Sequence, residues 1–179
     1  MDKFYEMKIA GCKRQLQLCP VNDKLDIAAF VMFSDVEVTV ASATELLAKC
    51  PDFDVILTAE SKGIPLAYEM ARQSGKNYVV ARKTVKLYMT NPISVTVKSI
   101  TTANEQVLHL AEEKANMLRG KKVLLVDDVI STGESLIALE KLTEAAGGNI
   151  VGKVAVLAEG DAADRADIIF LEKLPLFFK

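Results

Sequence analysis

Asp127 and Asp128 sit side by side after an unbroken apolar run, Val123-Leu124-Leu125-Val126, and lead into Val129-Ile130-Ser131-Thr132-Gly133-Glu134-Ser135. Two adjacent carboxylates can hold sugar hydroxyls, directly or through a divalent cation. The small residues after them can present a phosphate-sized nest of backbone N–H groups. Ser131, Thr132 and Ser135 add hydroxyl donors, and Gly133 permits a positive φ. A phosphorylated sugar matches both halves. A second anion site is expected at Ala59-Glu60-Ser61-Lys62-Gly63-Ile64-Pro65, where Lys62 brings a positive charge and Ser61 and Gly63 let a ligand approach the backbone. Arg82, Lys83 and Lys86 place three cations within five residues. Alone they would be a solvated patch; beside two anion sites they point to a diphosphate.

These groups need elements to hold them. Four apolar residues without alternation suit a parallel strand covered on both faces, here expected to end at the two acids. In an open α/β sheet the ligand crevice lies beyond the carboxyl ends of the strands. Leu136, Leu139, Leu142 and Ala146 mark one face of a following helix, which stops at Gly147-Gly148. Its start would aim unpaired N–H groups at an anion. Residues 54–59 read as a strand, and 63–74 as a helix with Pro65 in its first turn and Gly75 past its end. Residues 77–82, 149–157 and 167–171 read as further strands, whereas 84–104 suggests an extended hairpin or a mobile, lid-like excursion. The alternation predicts an α/β fold, a parallel sheet flanked by helices. Upstream, residues 25–40 look mostly extended, and Ser42 with Glu45 fits a capping box before Leu46-Leu47. One domain of 179 residues is expected, with 1–50 as a small N-terminal cap or hood and 51–179 as the core.

Composition excludes several alternatives. The net charge is −2, which provides no global attraction for nucleic acid. Cys12, Cys19 and Cys50 form an odd set without a Cys-x-x-Cys pair, arguing for a reducing compartment and against a zinc site. His109 is the single histidine, sits in an apolar run and is expected to be structural. No Gly-x-x-x-x-Gly-Lys-Ser/Thr segment supports a nucleoside-triphosphatase. The start of the chain mixes charged and apolar residues, and the apolar stretch 27–33 is too short for a bilayer. A cytoplasmic protein without membrane contact is expected.

The segment 123–135 resembles the PRPP-binding motif of the type I phosphoribosyltransferase family: four apolar residues, two acids, two apolar residues, then a small residue and Thr-Gly. The loop at Lys62 resembles the family's pyrophosphate loop, and 84–104 its flexible loop; together the likeness spans about 54–159. Within the family the purine enzymes are nearest. Ser131 is small, as in adenine-using enzymes, where hypoxanthine-guanine enzymes carry an aspartate. Xanthine enzymes are the next nearest. Two departures stand out: Gly133-Glu134-Ser135 replaces Gly-Gly-Thr, and Thr101 and Thr102 fall where a glutamate near the purine is usual.

The resemblance implies transfer of a phosphoribosyl group from PRPP to a purine, adenine first, with release of pyrophosphate. Asp127, Asp128, Lys83 and Lys86 would be catalytic, and Ser131, Thr132, Gly133, Glu134 and Ser135 would bind the 5′-phosphate. Ser61, Lys62, Gly63, Arg82 and Lys83 would bind pyrophosphate, with a non-proline cis peptide at Glu60–Ser61 or Ser61–Lys62. Phe30, Val31 and Glu159 would meet the base. Mg²⁺ would be the cofactor, carried by substrate oxygens and held indirectly by Asp127 and Asp128. A homodimer is implied. A PRPP-sensing regulator without chemistry is the competing class.

Overall fold

The computed structural model describes residues 3–98 and 105–179. In chain order the elements are β1 (Phe4–Ile9), β2 (Cys12–Asn22), β3 (Leu25–Ala29), α1 (Val36–Leu47), β4 (Val55–Ala59), α2 (Ile64–Ser74), β5 (Asn77–Ala81), β6 (Ile93–Lys98), β7 (Glu105–Leu110), α3 (Glu112–Leu118), β8 (Lys122–Ile130), α4 (Glu134–Ala145), β9 (Asn149–Glu159), β10 (Ile169–Leu174) and β11 (Leu176–Phe178).

Five strands form the central parallel sheet in the order β10-β9-β8-β4-β5. Because side chains alternate along a strand, Val55, Leu57, Val123 and Leu125 pack with Leu136, Leu139 and Leu142 of α4 and Leu118 of α3. Ile56, Leu124 and Val126 point the other way, onto Val38 and Leu46 of α1 and Leu66 and Met70 of α2. Both faces are covered, which is why β4 and β8 carry unbroken apolar runs. From β4 the chain moves through α2 to β5 on one side; from β8 it moves through α4 to β9 on the other. The strand order therefore reverses between β4 and β8, the place where such sheets open a ligand crevice.

A second, antiparallel sheet has the order β1-β2-β3-β11. Its fourth strand comes from the far end of the chain, with Leu176 opposite Ile27, so the hood draws on residues beyond the 1–50 boundary expected for it.

Three local expectations need correction. Only the first part of 25–40 is extended, since α1 already starts at Val36. Ser42 is buried inside α1 and caps nothing; Asp35 is the N-cap, its side chain accepting from the Val38 N–H. The β-branched Val36, Val38, Thr39 and Val40 suggest a strand by propensity, but burial of Val38 and Leu46 against the sheet decides for helix. The strand carrying the two acids also runs further than expected. β8 continues past them, pairing Val129 with Leu157 and Ile130 with Ala158.

Part of the excursion at 84–104 is a hairpin, with β6 and β7 paired from Ile93↔Leu110 to Lys98↔Glu105. Thr101 and Thr102 lie outside the described residues. Among the described residues no helix is long and apolar enough to cross a membrane.

Candidate functional site

The loop after β4 turns sharply and is pressed against β8. Its Glu60–Ser61 peptide bond is cis, one of the two positions expected. α2 begins behind Gly63 with no side-chain cap, so first-turn N–H groups there have no side-chain acceptor. Gly63 has a steric reason: a Cβ would lie 2.6 Å from Thr58 Oγ1 and 3.2 Å from Asp127 Oδ1. Only a residue without a side chain lets the loop approach the carboxylates this closely.

Asp128 is 3% exposed, and its Oδ2 lies 3.0 Å from Lys62 Nζ. That contact is ionic; the buried oxygen accepts no hydrogen bond among the described residues, so it can still receive one from a ligand. Asp127 Oδ1 accepts the Asp128 backbone N–H at 2.8 Å. Burial of its carboxyl pushes Asp127 up to about 8, repulsion from Asp128 adds to this, and Lys62 opposes it. One edge of the residue nonetheless reaches open space on two sides.

Those two spaces are adjacent cavities. One, of about 100 Å³, is bounded by Asp127, Val129 and residues 130–136. Gly133 there has φ +82° and starts α4 without a side-chain cap, which leaves the helix start open toward an anion. The other, of about 210 Å³, is lined by Ser61, Lys62, Lys83, Asp127 and Asp128 among others. Asp127, Val129 and Ser135 line both.

The cations divide. Lys83 lines the larger cavity of the two, and its N–H donates to the Glu60 carboxylate at 2.8 Å. That bond and the neighbouring Arg82 hold Glu60 below the usual carboxylate range. Arg82 is turned elsewhere: Nη2 pairs with Glu60 at 3.0 Å, Nη1 donates to the Tyr88 hydroxyl at 3.1 Å, and it lines a separate cavity with Tyr78 and Lys114. Arg82 thus braces the loop from behind rather than lining the diphosphate space, because consecutive extended residues face opposite ways. Lys86 is half-buried, and its charge helps hold Glu60 ionised, but it is absent from the cavity lining.

Of the residues expected at the base, Phe30 is 5% exposed and packs in the core with Met32 and Val38, leaving little of its ring for stacking. Val31 is half exposed, and Glu159 is half-buried at the end of β9. His109 is structural: Nδ1 lies 2.7 Å from Ser94 Oγ across the hairpin, and its backbone bridges Arg82.

Two residues near the site were missed in the sequence. Glu60 organises Arg82 and Lys83, as described. Gln106 of β7 donates from Nε2 to Ser135 Oγ at 3.1 Å, tying the hairpin to the small-residue loop. Neither had a sequence signature, since each contact joins segments more than twenty residues apart.

No group of three or more His, Cys, Asp or Glu among the described residues could enclose a metal ion. A pair of carboxylates with one unsatisfied buried oxygen does fit Mg²⁺, which binds through one or two carboxylates plus substrate phosphates.

A family model for the phosphoribosyl transferase domain matches residues 38–174. A hypoxanthine/guanine phosphoribosyltransferase of Methanococcus voltae is 35% identical over 114 residues, 64% of this chain and 57% of that protein. An adenine phosphoribosyltransferase of Rhodococcus jostii is 33% identical over 126 residues, 70% of this chain and 69% of that protein. The chain therefore spans little more than half of the first relative's length. An adenine phosphoribosyltransferase of Thermoanaerobacter pseudethanolicus shares the fold, with a TM-score of 0.73 at 24% identity, over 88% of this chain and 95% of that one.

Proposed function

The chain belongs to the phosphoribosyltransferase family, and from that premise we propose that it moves the 5-phosphoribosyl group of PRPP onto a purine ring nitrogen, adenine in preference, releasing pyrophosphate. The observation that carries this reading is the position of Asp127, which borders both the Gly133 cavity and the Lys62–Lys83 cavity. A ligand with a phosphate at one end, a diphosphate at the other and a hydroxylated ring between them matches that layout.

Displacement at the anomeric carbon passes through a loose, positively charged sugar, so catalysis rests on positioning and electrostatics. The phosphate seats in the loop 131–135, against the start of α4. Asp128 offers its unsatisfied Oδ2 to a ribose hydroxyl, and with Asp127 it stands near the developing positive charge. Lys62 and Lys83 meet the diphosphate, with Ser61 and the start of α2 supplying further donors. Lys86 contributes charge at longer range, and Arg82 keeps Glu60 and hence Lys83 in place. Mg²⁺, when bound, would neutralise part of the diphosphate charge; Asp127 and Asp128 would hold it.

For the base, Glu159 at the carboxyl end of β9 can accept from adenine's amino group, and its charge would repel the carbonyl oxygens of xanthine. Val31, half exposed, offers an apolar edge. The whole chain acts as one domain in this reading, as a homodimer in the cytoplasm, where its three free thiols persist. Incubation with Mg²⁺, PRPP and adenine, hypoxanthine, guanine or xanthine in turn tests it. Adenine should release pyrophosphate fastest. A preference for xanthine overturns the role of Glu159, and PRPP binding with no release under any purine makes the protein a sensor.

A further inference from the structure

The loop 130–136 contains no lysine or arginine, yet it is asked to hold a phosphate beside Asp127, Asp128 and Glu134. A phosphate monoester carries about −1.5 to −2 at neutral pH. Backbone N–H groups and a helix dipole favour such an anion, but the carboxylates of Asp128 and Glu134 oppose them. The cations already placed, Lys62 and Lys83, line the other cavity.

Among the described residues, a cation from outside the loop, Arg165, comes against Gly133 without lining the cavity itself. Arg165 follows the 3₁₀ turn Gly160–Asp164 that closes β9. Its Nε and Nη2 donate to Asp167 Oδ1 and Oδ2 at 2.9 and 2.8 Å, a two-pronged fork that fixes the plane of the guanidinium. Asp167 is itself held by Lys153 at 3.1 Å, and Lys153 also pairs with Glu140 of α4. The third nitrogen, Nη1, has no hydrogen bond to another described residue. It lies against Gly133: a Cβ built there would stand 2.9 Å from it. The clamp thus leaves the free face of the guanidinium against the residue that starts α4.

We propose that Arg165, oriented by Asp167, is a further binding residue for the 5′-phosphate of the sugar donor, supplying from β9's end the positive charge that the loop's own sequence lacks. The inference rests on the PRPP reading above and deepens it. It also gives Gly133 a second reason besides its φ: a side chain there would push the guanidinium off the loop. As a plain surface ion pair between residues two apart, Arg165–Asp167 would contribute little to stability. A binding role predicts an effect confined to one end of the ligand.

The test uses the full chain with Mg²⁺ and compares ribose 5-phosphate, pyrophosphate and PRPP. Arg165→Gln should weaken ribose 5-phosphate about tenfold, equivalent to about 1.4 kcal/mol, and raise KM for PRPP similarly, with pyrophosphate affinity retained. Arg165→Lys should recover part of the loss, since it keeps the charge but not the fork. Unchanged ribose 5-phosphate affinity in Arg165→Gln overturns the proposal, as does equal weakening of both probes, which would signal a loosened fold. Asp128→Asn in parallel separates the two levels. If it abolishes turnover while Arg165→Gln behaves as wild type, only Arg165 is misassigned; if it leaves turnover intact, the PRPP reading falls and takes this proposal with it.

Discussion

The starts of α1 and α4 solve the same problem in opposite ways. Each must deal with first-turn N–H groups that no helical carbonyl reaches. At α1, Asp35 accepts from the Val38 N–H at 3.2 Å, and Arg14 grips the same carboxylate at 2.7 and 2.9 Å. At α4 the cap is Gly133 with no side chain to offer, and α2 likewise begins behind a bare Gly63. The sealed start lies beside the start of α2, sharing a cavity with Pro65 and Tyr68, and lines neither of the two cavities that Asp127 borders. Of the two open starts, Gly133 shares a cavity with Asp127 and Gly63 is pressed against it. Local stability has been given up where a ligand's anions can do the capping.

Substitutions at these helix starts test the contrast. The largest expected effect is at the carboxylates the open starts surround: Asp128→Asn should lower kcat/KM on the order of a hundred- to a thousandfold, because it removes charge where the sugar becomes positive. Steady-state pyrophosphate release reads this. Gly63→Ala forces a Cβ to within 2.6 Å of Thr58 Oγ1. The overpacking should cost about 2 kcal/mol, or roughly thirtyfold in pyrophosphate affinity, measurable by titration.

The pH dependence of stability should show the same division. Asp35 is held below the usual carboxylate range, mainly by its bond from Arg14. Its contribution is therefore present above the unfolded value and lost as pH falls through the folded one. Asp127 runs the other way: raised to about 8, it makes the ligand-free fold lose stability as pH climbs from about 4 to about 8. Asp127→Asn should flatten that limb of a melting-temperature profile while removing activity. The smallest effect is expected at the sealed start, where Asp35→Ala should cost about 1 kcal/mol, or about 2–4 °C in Tm, with kcat/KM unchanged. A large loss of turnover there would erase the distinction between the two kinds of helix start.

Much of the site was legible because it is local in sequence. The apolar run, the two acids and the Ser131-Thr132-Gly133 turn belong to one strand–loop–helix unit, and each part has a residue signature. What failed was set by tertiary contacts. Val36 to Val40 carries strand-favouring side chains, yet the space over β9 and β10 takes a helix there. The hood could not be bounded from its own residues because β11 completes it from the far end. Arg82 and Lys83 looked equivalent, but the loop's geometry sends one to Glu60 and Tyr88 and the other to the cavity. Gln106 and Arg165 were invisible for the same reason, since each reaches the loop from about thirty residues away.

The central claim is that the open starts of α4 and α2 hold the two anionic ends of one ligand, with Asp127 between them. The most direct measurement is a competition titration of the full chain, in Mg²⁺, with ribose 5-phosphate, pyrophosphate and PRPP. The two fragments should bind together, and PRPP should displace both. If ribose 5-phosphate and pyrophosphate exclude one another, or if PRPP displaces only one of them, the two cavities are not the two ends of a single site.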